Sequence, residues 1–80
     1  MTIDDAIADL SERIRNVSPE AVIRVKRRSD EEASIRTYAP VEHENALKAA
    51  TQEITLNLLI EGLDIQVLVY DIATSLPPAE

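Results

Sequence analysis

Near the N-terminus the apolar residues recur at three- and four-residue steps. Ile3, Ile7, Leu10, Ile14 and Val17 share one stripe, so residues 2 to 17 are predicted to form an amphipathic helix. Thr2 with Asp5 three residues later resembles a capping box built on the shorter acid, and Asp4 and Asp5 suit the positive end of the helix dipole. Ser18-Pro19 ends the helix, because a residue before proline is pushed out of the α region.

The period then changes to two. In residues 21 to 28, Ile23 and Val25 take one face of a strand, and Val22, Arg24, Lys26 and Arg28 take the other. A polar turn leads to a second strand, 33 to 39, with Ala33, Ile35 and Thr37 toward the core and Ser34, Arg36 and Tyr38 outside. Cross-strand partners share a face, which requires an odd number of loop residues, about three or five. The loop has no glycine, which favours five.

Residues 40 to 61 read as a long helix, with Pro40 at its first position, a stripe through Leu47, Ala50, Ile54 and Leu58, and Gly62 as a left-handed cap. Within it, Ile54, Leu56, Leu58 and Ile60 also alternate like a strand. Helix is expected, because Ala46 to Ala50 propagates into this piece and no turn residue intervenes before Gly62. Residues 64 to 72 are the clearest strand, with Ile65, Val67 and Val69 on one face and Gln66, Leu68, Tyr70 and Ile72 on the other. Residues 76 to 80 follow the domain, 1 to 75, as a flexible tail.

The order α-β-β-α-β predicts an α+β fold. It is a two-layer sandwich in which two helices cover one face of a three-stranded mixed sheet and the crossover helix sets the last strand parallel to the second. The type II KH fold shares this order, but its phosphate-clamping GXXG loop needs two glycines and this chain has one, so the likeness is one of topology.

Eighty residues support one core, and with no Phe, no Trp and two Tyr it must be built from Ile, Leu, Val and Ala. The absence of cysteine excludes disulfides, thiolate chemistry and cysteine zinc sites, and suits a reducing compartment. The acidic N-terminal segment is unlike a signal peptide, and no window approaches about 18 uninterrupted apolar residues. A cytoplasmic protein without membrane association is expected. A formal charge of −7 argues against wrapping nucleic acid or anionic lipid with the whole surface.

Few residues suggest chemistry. His43 lies between Glu42 and Glu44, but helical ligand pairs are three or four residues apart, and no ligand of that kind stands at Asn45, Ala46 or Leu47. A solvated first turn is expected there. Ser11, Ser18, Ser29, Ser34 and Ser75 lack the glycine setting of a nucleophile elbow, and one glycine cannot make a phosphate loop. No catalytic residue, metal or cofactor is expected.

Charge is distributed unevenly. Residues 21 to 39 carry five bases against three acids, whereas 1 to 20 and 40 to 80 are acidic. Arg24, Lys26, Arg28 and Arg36 share the face the helices leave open, with Tyr38 and Tyr70, and are the candidates for an anionic partner. Depending on register, Lys26 or Arg24 stands opposite Arg36, a like-charge pair that a partner or the turn acids would relieve. Val22, Leu68, Tyr70 and Ile72 form an apolar patch on the same face, predicted to bury against a second copy. The expected function is a non-enzymatic protein-interaction module acting as a homodimer. The alternative is single-stranded RNA binding, with tyrosines stacking on bases and the basic side chains meeting phosphates.

Overall fold

In a computed structural model, which describes residues 2–75, the helix α1 spans Ile3–Val17 and the strands β1 and β2 span Val22–Arg27 and Glu32–Ala39. A 3-10 turn, Val41–His43, leads into α2, Glu44–Ile60, and β3, Asp64–Asp71, closes the order. The tail predicted over 76–80 lies outside the described residues.

The capping box forms as expected. The Asp5 N–H donates to Thr2 Oγ1 at 3.2 Å and the Thr2 N–H donates to Asp5 Oδ2 at 3.3 Å, so each satisfies a donor the helix cannot. At the other end the Ser18 N–H donates to Ile14 O at 2.9 Å, and the chain leaves the helix before Pro19.

The sheet is mixed, with β2 in the middle, antiparallel to β1 and parallel to β3. Arg24 pairs with Arg36, and Arg28 N–H donates to Glu32 O at 2.9 Å, so the hairpin closes on Ser29, Asp30 and Glu31. The five-residue loop favoured by the missing glycine does not form. Ser29 replaces the glycine, because its Oγ accepts from the Glu31 and Glu32 N–H groups at 3.1 Å each, and no non-glycine residue takes a positive φ among the described residues.

The long helix starts later than the sequence suggests. Pro40 stays extended, at φ −56° and ψ 140°, and the first turn tightens to 3-10 before α2 begins at Glu44. Glu53 to Ile60 is helical, so the alternating reading of that piece fails. Gly62, at φ +93°, closes α2 with the paired bonds of a Schellman motif: Gly62 N–H to Leu59 O at 3.0 Å and Leu63 N–H to Leu58 O at 2.8 Å.

Both helices pack on the odd-numbered face of the sheet. Leu10 and Ile14 of α1, Leu47 of α2 and Ile35 of β2 are wholly buried at the centre, each stabilising the fold by about 1.5–3 kcal/mol through removal from water. α2 rests on β3, and α1 rests on α2 and β2. The edge strand β1 is thinly covered, leaving Val25 45% exposed. Thr37, paired with Ile23 and Val69, is also wholly buried, and its hydroxyl has no hydrogen-bond partner among the described residues.

Candidate interaction surface

Pleating sends the even-numbered strand residues to the face without helices, and the register arranges them in four rows across the sheet. Val22, Tyr38 and Tyr70 make the first row, and Arg24, Arg36 and Leu68 the second. Lys26, Ser34 and Gln66 follow, then Arg28, Glu32 and Asp64. The surface therefore runs from aromatic, through basic, to mixed charge.

The like-charge pair expected from the sequence is present as Arg24 opposite Arg36 on neighbouring strands. Arg24 is half-buried and its Nη1 donates to Ile23 O at 3.4 Å, whereas Lys26, Arg28 and Arg36 are exposed. Among the described residues no salt bridge holds Lys26, Arg28 or Arg36. The turn acid Asp30 serves Arg27 instead, which projects to the helix side and is held by Asp30 at 2.7 Å and Asp4 at 3.1 Å. Glu32 remains on the open face, where it, Arg28 and Asp64 border a hollow of about 200 Å³.

Tyr38 lies on the open face as the strand alternation predicts, but it is covered there. Its ring stacks on Tyr70 with centroids 5.3 Å apart and lies beside Val22, which leaves Tyr38 only 6% exposed. Of the predicted self-association patch, Leu68 and Tyr70 are exposed, and Val22 and Ile72 are half-buried. Val22 lies on β1, two strands away, so the accessible apolar surface gathers along β3 rather than across the face.

Two features escaped the sequence reading. Leu56, Leu59 and Ile60 are exposed on α2, at 58%, 54% and 78%, outside the stripe that faces the sheet. Their signal was the doubled periodicity of this segment, since apolar residues beyond one helical stripe must lie on another flank. The second feature is His43, half-buried rather than solvated, with Nδ1 2.8 Å from Ser18 Oγ. Ser18 is wholly buried and lies 25 residues away, so this pair ties the end of α1 to the start of α2 and offers no nucleophile to a substrate.

Among the described residues, no group of three or more His, Cys, Asp or Glu is placed to hold a metal ion, and no helix is long and apolar enough to cross a membrane. No family model matches the chain, and neither the curated proteins nor the solved structures yield a significant match.

Proposed function

We propose that the protein is a small, non-enzymatic protein-interaction module that works as a homodimer and receives an acidic segment of another protein on its open sheet face. The observation that carries this reading is the set of exposed bases on that face, Arg36 with Lys26 and Arg28 in the next rows, which no salt bridge holds among the described residues. Like charges gathered on one sheet face cost stability, and a carboxylate seated among them reverses the sign of that interaction. Leu68 and Tyr70 beside them supply apolar contact, the usual companion of charge in a recognition site.

Single-stranded RNA fits this face less well. Base stacking needs an accessible ring, and Tyr38 has both its flanks occupied. Tyr70 remains, at 36% exposure, a single ring where a strand of bases needs successive platforms.

The test is fluorescence anisotropy with two labelled probes, a decaglutamate peptide and an oligouridylate, each titrated at two salt concentrations. The peptide should bind more weakly as salt rises, and Lys26→Gln with Arg36→Gln should reduce both the affinity and its salt dependence. Arg15→Gln on α1 should change little. Preferential binding of the oligouridylate would transfer the face to RNA, and binding of neither probe would remove the support for an anionic partner.

A further inference from the structure

We infer that the outer edge of β3 is where two copies of this chain meet, pairing antiparallel about a two-fold axis to make one six-stranded sheet; this rests on the homodimer reading above.

The edge is open and its hydrogen-bonding groups point outward. Asp64 N–H donates to Glu31 O at 2.7 Å and Ile72 N–H to Ala39 O at 3.0 Å, so the even-numbered residues of β3 serve the parallel ladder with β2. The backbone alternates, and Ile65, Val67 and Val69 therefore turn their N–H and C=O groups away from the sheet. No described strand lies on that side.

Such an edge normally carries charge, a proline or a bulge that keeps other strands away. β1 carries such charge along its length, in Arg24, Lys26 and Arg27, and self-pairing about Val25 would set Arg24 opposite the partner's Lys26. β3 is not: its eight residues carry charge only at the ends, Asp64 and Asp71. With Leu68 on the axis, Val67 faces the partner's Val69, Gln66 faces the partner's Tyr70, and no two charges of like sign are opposed. Moving the axis to Val67 keeps both properties. A self-complementary edge beside a cationic one closes a dimer and does not propagate a fibre.

The helix layer points to the same occupant. A groove of about 380 Å³ runs above the edge between α2 and β3, lined by Lys48, Thr51, Gln52, Thr55 and Val67. Leu59 continues that flank of α2 one turn on and is 54% exposed. The two-fold axis brings the same flank of the second copy alongside it, so association covers Leu59. Because the axis is normal to the sheet, both basic faces stay on one side of the dimer, open to the partner proposed above.

Light scattering and amide hydrogen exchange on the wild-type chain separate the outcomes. The expected mass is twice the 8.9 kDa of one chain, with the Val67 and Val69 amides protected in the dimer and exposed on dilution. The Leu68 amide, bonded to β2, should stay protected at both concentrations. A monomer at high concentration overturns the homodimer reading and this inference with it. A dimer in which Val67 and Val69 exchange rapidly retains the homodimer but overturns the edge, as does a mass beyond two chains. Val67→Pro removes an outward N–H that the internal ladder does not use, and should halve the mass while the circular dichroism spectrum is kept. A folded Val67→Pro dimer overturns the edge assignment; if the variant does not fold, exchange on the wild type decides.

Discussion

Replacing Thr37 by valine should stabilise the protein. Thr37 stands at the centre of the sheet between Ile23 and Val69, wholly buried, and its hydroxyl has no hydrogen-bond partner among the described residues. Taking a hydroxyl out of water without a partner costs about 1–3 kcal/mol. Valine has the same branched shape and puts a methyl where Oγ1 was, so Thr37→Val removes that cost, leaves the backbone ladder intact and adds no appreciable volume. A gain of about 1–2 kcal/mol is expected. It is a large fraction of a total stability of roughly 4–12 kcal/mol for a chain of this length. The melting temperature should rise by about 4–16 °C, since each kcal/mol is worth about 4–8 °C in a domain of this size. Guanidinium unfolding should show a higher midpoint with an unchanged slope, the signature of altered stability without altered compactness. Thr51→Val is the control. Thr51 is also buried, but its hydroxyl donates to Leu47 O at 2.9 Å, so the same substitution there should be neutral or cost up to about 1 kcal/mol. If Thr37→Val leaves the midpoint unmoved or lowers it, or if Thr51→Val gains as much, the argument from the partnerless hydroxyl is wrong.

Gly62→Ala should cost about 1–2 kcal/mol by thermal unfolding through the backbone alone, because φ is +93° and no atom lies within 4 Å of the added Cβ; Gly62→Asn should lose less. His43→Ala should cost more in urea unfolding than Ser18→Ala, since the first leaves a wholly buried hydroxyl without its 2.8 Å partner, at about 1–3 kcal/mol, and the second leaves only a half-buried ring nitrogen. The reverse order would show that the pair is not what ties α1 to α2.

The elements were legible where one local cause dominated. Thr2 and Asp5 mark the start of α1, Ser18-Pro19 its end, and Gly62 the end of α2, because each acts through the backbone of its own turn. Alternation in β1, β2 and β3 assigned the helix-covered face for the same reason: side-chain direction in a strand is set by parity alone. What the sequence did not convey depends on residues distant in the chain. The hairpin register turned on Ser29 bonding two backbone N–H groups, a substitute for glycine that composition does not announce. Tyr38 points to the open face as parity requires, yet it is covered because the register sets Tyr70 on one side of it and Val22 on the other. The basic side chains share the face that alternation assigns them, but the neutralisation of Arg27 by Asp4 and Asp30 is not legible in the sequence, since Asp4 comes to it from another element 23 residues away.

The composition also explains why one edge and one face remain to be covered. Without Phe or Trp, the two helices cover the sheet with Ile, Leu and Ala side chains, which fill one layer and no more. Five of the exposed apolar residues stand on two adjoining elements, Leu56, Leu59 and Ile60 on α2, the helix that rests on β3, and Leu68 and Tyr70 on β3 itself, whereas Val25 on β1 and Val41 in the 3-10 turn stand apart. The bases concentrate on the opposite strand, β1, with Arg36 next to them on β2. A purely protective surface would guard both edges with charge, and β3 carries none between its ends. β3 is therefore the strand that gains most by meeting an apolar partner, and a contact between copies there leaves β1, with its charges, facing outward.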